Sequence, residues 1–264
     1  MNPKPLPWTL TVALGLLVAC ASVASSDEST AYGRLLAKHV RPGTVEGIRA
    51  NLVNYAAVAT DPNYAQALNE LENASPGALA TKEEAFAFWV NAYNLLAIKT
   101  IVDRYPIASI REAGTLFSPI WKKEVGTIGG KPYSLDAVEH GKLRMDWKEP
   151  RVHLALVCAS LSCPDLRAEP YVAARLDAQL DDQARSFLAN ETKGMALGAT
   201  GTTARVSSIF KWFRDDFAPA GGVVAFIKAK ADPALAPRVA ELTDAGLSYL
   251  QYDWSLNDTP PDAR

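Results

Sequence analysis

The sequence predicts an α+β fold, a single domain with helices packed around a central, mainly antiparallel sheet. Three observations carry that expectation. A long apolar helix is signalled from about Lys82 to Tyr105, opened by Thr81-Lys82-Glu83-Glu84 and ended by Pro106. A hairpin is signalled over Lys123–Leu135 about Gly129-Gly130, a dipeptide that tolerates the positive φ of tight turns. Arg151–Cys158, RVHLALVC, is a mostly apolar run that reads as the strand at the sheet's centre. Helical segments before, between and after the strands make the class α+β.

In chain order, residues 1–24 read MNPKPLPWTLTVALGLLVACASVA: one cation, Lys4, then an apolar run from Trp8 to Ala19 that ends in small residues. That is the layout of a secretory signal, too short for a permanent membrane span. Leu17-Val18-Ala19-Cys20 resembles the lipobox of bacterial lipoproteins, in which the chain is cut before a cysteine that carries lipid. Ala21 after it implies outer-membrane sorting. Ordinary cleavage at Ala19-Cys20-Ala21 and an uncleaved anchor are the competing readings. The expected organisation is a signal peptide over 1–19, a tether over 20–31, an N-terminal helical region over 32–78, a main domain over 79–258 and a tail over 259–264. Helices are expected over Tyr32–Val40, Val45–Ala59 and Tyr64–Asn73, with breaks at Arg41-Pro42-Gly43 and Thr60-Asp61-Pro62.

Thr81 and Glu84 form a capping box for the apolar helix, in which Asn91 and Asn94 are costly unless their amides are hydrogen-bonded. Ser134 can cap a short helix running through Glu139-His140. Further helices are expected over 170–190, Ile209–Phe217 and Val223–Ala231.

The 264 residues are 48% hydrophobic and 21% charged, a globular composition. With 27 basic against 29 acidic side chains, the chain lacks the basic footprint of a nucleic-acid binder. Contact with a membrane is expected only through lipid on Cys20.

Two cysteines remain after Cys20, and the three histidines are His39, His140 and His153. Cys163 precedes Pro164, a residue favoured at the first helical position, so Cys163 would cap a short helix whose positive end lowers a thiol's pKa. His140, from another element, is free to approach it as base, with Glu139, Asp136, Asn91 or Asn94 as orienters. His153 and Cys158 on one regular strand would lie ~16 Å apart and face opposite ways. A Cys158–Cys163 disulfide, a metal site and a pair of inert core thiols are the alternatives. No H-E-x-x-H or C-x-x-C spacing points to a metal, and no nucleotide loop or G-x-S-x-G is present. His39 is expected in solvent, and Trp89, Trp121, Trp147 and Trp212 in the core. Arg144 and Arg167 can clamp a carboxylate or sit in ion pairs.

Phe88-Trp89-Val90-Asn91-Ala92-Tyr93-Asn94, Ser134-Leu135-Asp136 with Glu139-His140-Gly141 and Arg144, and Arg151-Val152-His153 through Cys158 to Ser162-Cys163-Pro164 follow one another in order. Ser208–Phe213 with Asp216-Phe217, and Tyr252–Asn257, complete the series. Together they resemble the domain of unknown function 547 family, over roughly 80–258. The resemblance implies one domain, commonly exported in bacteria, with a distant relation to papain-like or transglutaminase-like cysteine enzymes. In those enzymes a cysteine opens the main buried helix, a place that holds no cysteine here.

The expected function is that of a cell-envelope protein with Cys163 as nucleophile, His140 as base and Glu139 as orienter, acting on an amide or ester. Asn91, Asn94, Arg144, His153 and Cys158 would complete its binding surface, with neither metal nor cofactor. The partner would be a small molecule, a peptide or an envelope component. The alternative is a non-catalytic binding or scaffold domain held by the 158–163 disulfide.

Overall fold

The computed structural model describes residues 29–115 and 118–261. The signal segment, Cys20, most of the tether and the last three residues of the tail lie outside them, as do Leu116 and Phe117. The chain enters α1 (Ala31–His39), whose Thr30 cap accepts the Gly33 N–H at 3.0 Å. The spacing predicts a helix over Val45–Ala59; the structure forms instead the antiparallel hairpin β1 (Val40–Val45) and β2 (Ile48–Val53), then the single turn α2 (Tyr55–Val58). Glu46 and Gly47 supply the reason, since both have positive φ, 51° and 79°, and such a two-residue turn matches the twist of a hairpin. The region 32–78 is therefore mixed rather than helical. His39 is buried rather than solvated, and its Nε2 donates to Asp61 Oδ2 at 2.9 Å just before α3 (Pro62–Glu72).

The capping box of α4 (Lys82–Val102) closes both ways: Thr81 Oγ1 accepts the Glu84 N–H at 3.1 Å, and Glu84 Oε2 accepts the Thr81 N–H at 3.2 Å. By length and composition α4 is apolar enough to cross a membrane, yet 72% of that apolar window is buried inside the fold, as befits the central helix of a core. Both asparagines are satisfied. Asn91 Nδ2 donates to the Tyr171 carbonyl at 2.7 Å and its Oδ1 accepts the Tyr171 N–H at 2.9 Å. Asn94 Nδ2 donates to the Ala155 carbonyl at 3.0 Å while its Oδ1 accepts the Val157 N–H at 2.9 Å.

The predicted hairpin forms as β3 (Glu124–Ile128) and β4 (Lys131–Ser134), with Gly129 and Gly130 at φ 56° and 75°. Ser134 then caps α5 (Leu135–Val138), its hydroxyl accepting the Ala137 N–H at 3.0 Å. A π-helical stretch, Glu139–Arg144, leads into the short α6 (Met145–Trp147). Such wide turns cluster at functional sites because they re-aim side chains that a regular helix would bury.

The expected central strand over Arg151–Cys158 does not form. Glu149 and Pro150 start a turn whose carbonyls accept the N–H groups of Val152 and His153, and α7 (Val152–Ala155) follows. A short apolar run reads equally as a buried strand or a buried helix, and here the side-chain amide of Asn94 takes the place of a neighbouring strand beside 155–157.

The remaining elements are α8 (Leu176–Ala189), β5 (Met195–Leu197), β6 (Ala204–Val206), α9 (Ile209–Trp212), α10 (Val223–Lys230), α11 (Ala236–Val239) and β7 (Leu247–Tyr249), with a 3₁₀ stretch over Arg214–Ala220. The helix expected from residue 170 thus begins at Leu176, and that expected over Ile209–Phe217 is split at Phe213. The class is α+β, but among the described residues the strands make three small sheets instead of one central one, antiparallel except for the β6–β7 pair.

Buried apolar side chains form two main clusters. One surrounds α4; the other gathers α8, the β5–β6–β7 sheet, α9 and α10. The four residues of α7 straddle them, with Val152 and Ala155 in the first and Leu154 in the second. The C-terminal stretch runs beside the loop after α7, where Leu161 N–H donates to Ser255 O and Ser162 N–H to Asp253 O. Asn257 ties it to β2.

Candidate active site

A cavity of about 250 Å³ lies between the two clusters. Glu139, His140, His153, Cys158 and Cys163 all face it. Five of the residues predicted from sequence are thus gathered there from three separate stretches of chain. The expected separation of His153 from Cys158 fails with the strand on which it was measured, for α7 folds His153 back toward the thiol's cavity.

Cys158 follows Val157 and the extended Leu156, and the chain then turns through Ala159 at φ 60°. That conformation costs a residue with a Cβ on the order of 1–3 kcal/mol and is held only where the surroundings demand it. The turn brings Cys163 Sγ to 2.9 Å from Cys158 Sγ, and Cys163 Sγ also accepts the Cys158 N–H at 2.8 Å. Ser160 Oγ and the Tyr252 hydroxyl lie 3.1 and 3.3 Å from the Cys158 sulfur. Both cysteines are free thiols.

This geometry divides the two thiols. Its hydrogen bond with Cys163, helped by Ser160 and Tyr252, outweighs burial and holds the half-buried Cys158 below the ordinary thiol range. Burial, reinforced by the Cys158 charge, pushes Cys163 well above the ordinary thiol range. The helix expected to start at Pro164 is absent, so no positive helix end faces Cys163. These directions make Cys158 rather than Cys163 the more acidic thiol of the pair, the reverse of the sequence expectation.

A hydrogen-bonded chain of charged groups supports the rim. Asp216 accepts from Arg144 through both oxygens, at 2.6 and 3.0 Å, and from His153 Nε2 at 2.7 Å. Arg144 also meets His140 Nδ1 at 2.6 Å, and His140 Nε2 lies 3.3 Å from Asp136. Because arginine only donates, the partners assign His140 its proton on Nε2; the carboxylate assigns His153 the same tautomer. Burial lowers His153 to about 4 despite Asp216, so its ring, stacked 3.9 Å from that of Phe213, is neutral at pH 7. Burial raises Glu139 to about 7, against the pull of Arg144 and with the charges of Asp136 and Cys158 adding to it.

Asn91, Asn94 and Arg144 do not line the cavity. Asn94 fixes the backbone just before Cys158, Asn91 fixes the segment before α8, and Arg144 orients His140 and Asp216. Three participants had no role in the sequence reading: Asp216, Ser160 and Tyr252. Asp216 and Tyr252 fall inside family-like blocks, the only sequence signal pointing to them. Trp121 and Trp212, expected in the core, instead line the cavity beside Trp254, and Trp212 is 47% exposed. The Trp212 and Trp254 rings stack at 5.7 Å. A more open groove of about 1080 Å³ adjoins the cavity and shares Trp121, Tyr252 and Trp254 with it. Among the described residues, no three His, Cys, Asp or Glu side chains are placed to share a metal ion.

Residues 76–188 match the model of a family described as "Protein of unknown function, DUF547", which supports the resemblance read from the motifs. The match takes in α4, the π-helical stretch and both thiols, and ends before Asp216 and Tyr252. No curated protein and no solved structure matches the chain.

Proposed function

We propose, with the DUF547 match of residues 76–188 as premise, that the protein is a cysteine-dependent acyl hydrolase or transferase with Cys158 as its nucleophile. One observation carries this: a cavity-facing sulfur surrounded by Cys163, Ser160 and Tyr252, in a pocket that also holds Glu139, His140 and His153. The Cys158 thiolate attacks an amide or ester carbonyl, and the leaving group departs with the proton of the Glu139 carboxyl. Water, or an acceptor nucleophile, then gives its proton to the Glu139 carboxylate as it attacks the thioester and frees the thiolate. Glu139 suits that exchange because it titrates near neutrality. His140 suits it less, since Arg144 and Asp136 occupy both its nitrogens. The indole-lined groove favours a substrate extended beyond the reacting group, a peptide or other envelope component.

The same reading places the protein in the cell envelope as a lipoprotein anchored through Cys20, outside the described residues. Growth with a radiolabelled fatty acid is expected to label the wild type, and Cys20→Ser to abolish the label; equal labelling would remove the anchor.

Intact mass after a short exposure to p-nitrophenyl acetate is expected to show one acetyl group on Cys158, absent in Cys158→Ser. Iodoacetamide should alkylate Cys158 with a rate midpoint below the ordinary thiol range, the direction its neighbours impose. Cys163→Ala should raise that midpoint by ~1–2 units, the loss of one hydrogen bond to a charged group. A thiol that alkylates normally but never acylates would overturn acyl transfer.

A further inference from the structure

Nothing in acyl transfer requires the second sulfur to be a cysteine, because a serine hydroxyl could donate to the thiolate as well. Yet the two sulfurs are 2.9 Å apart, and a disulfide bond is ~2.05 Å long. Their surroundings differ in a directed way. Cys158 is half-buried and opens on the cavity, whereas Cys163 is 3% exposed beneath it. Four residues separate them, and Ala159 already holds the turn that folds one sulfur onto the other.

We infer that Cys158 and Cys163 form a reversible redox couple in which a hydroperoxide oxidises Cys158 and Cys163 resolves the product to a disulfide. The Cys158 thiolate attacks the outer peroxide oxygen and the O–O bond breaks. Sulfur loses two electrons and becomes a sulfenic acid, while the peroxide is reduced to water or an alcohol with one proton from solvent. Cys163 then gives up its proton as its sulfur attacks the Cys158 sulfur. The S–O bond breaks, and the hydroxyl leaves with that proton as water. An external dithiol restores both thiols and is itself oxidised to a disulfide. A reactive, accessible thiol beside a buried resolving one is the arrangement that stops oxidation at a recoverable stage, short of sulfinic acid. The disulfide removes the nucleophile, so acyl transfer and oxidation exclude one another. The inference rests on Cys158 being the reactive thiol and does not depend on acyl transfer.

The experiment treats the reduced mature domain, with Cys20 replaced by Ser, with one equivalent of hydrogen peroxide and reads intact mass and alkylatable thiols. The wild type is expected to lose two hydrogens and both thiols, and dithiothreitol to restore them. Cys163→Ser should instead gain one oxygen, trappable by dimedone, and a second equivalent of peroxide should carry it to an irreversible sulfinate; Cys158→Ser should stay unmodified. Accumulation of sulfenate or sulfinate in the wild type would overturn the inference, and that measurement needs no variant. Resistance to peroxide in a protein that iodoacetamide still alkylates at pH 7 would overturn the redox couple alone. Resistance to both reagents would also remove Cys158 as the reactive thiol.

Discussion

Replacing Asn94 with alanine is expected to lower the unfolding free energy by about 3–5 kcal/mol and the melting midpoint by roughly 10 °C. The cost follows from what the amide holds. Asn94 is buried in the middle of α4, and the Ala155 carbonyl and Val157 N–H are its two partners. Truncation leaves both backbone groups without their partner in a dry core, each at ~1–3 kcal/mol, besides a small cavity. Because those groups flank the bend before Cys158, iodoacetamide alkylation should slow as well. Thermal unfolding and alkylation rate, measured on one preparation, check both. A midpoint within ~2 °C of the wild type would mean that packing alone positions the thiol.

The second expectation concerns pH, where two buried groups work against each other. His153 is lowered from its ordinary 6.5 to about 4. As pH falls below 6.5, the unfolded chain takes up a proton that folded His153 refuses, and stability drops until about 4. Glu139 is raised from 4.5 to about 7, so the folded chain holds a proton that the unfolded one has released. Its contribution is fully present below 4.5 and is lost as pH rises through 7. Between about pH 6.5 and 4.5 the two slopes have opposite signs and similar size, ~1.4 kcal/mol per pH unit each. Glu139→Gln removes the compensating slope. Over that interval the variant should lose roughly 2–3 kcal/mol relative to the wild type, which urea titrations in a series of buffers would register. Parallel profiles would mean that Glu139 is charged in the folded protein throughout.

Much of this was legible in the sequence where a local signal has one physical meaning. The capping box of α4, the Gly-Gly hairpin and the Ser134 cap formed at their predicted places, because each depends on groups within a few residues of one another. The misreadings share a different cause. Apolar spacing over Val45–Ala59 masks the Glu46-Gly47 turn, and the apolar run 151–158 looks like a strand although its ladder partner is a side chain on α4. The gathering of Glu139, His140, His153 and both cysteines was visible as a set of chemically able residues. Which thiol is the more acidic was not, since that depends on Ser160 and Tyr252, 92 residues apart in sequence. Asp216 was hidden for the same reason: it reaches His153 and Arg144 only once the 3₁₀ stretch after α9 folds against α7.

The position of α7 between two clusters has a consequence for how such a protein can diversify. Cys163, Tyr93 and Leu156 belong to the cluster around α4, while the facing wall, with Ile209 and Phe213, is rooted in the other. Substitutions at Ile209 or Phe213 recut the wall that faces the sulfur pair, whereas Tyr252, packed on the same cluster, meets the Cys158 sulfur itself. The two walls of the cavity are therefore free to drift at different rates, with Tyr252 as the position where a change in one reaches the other.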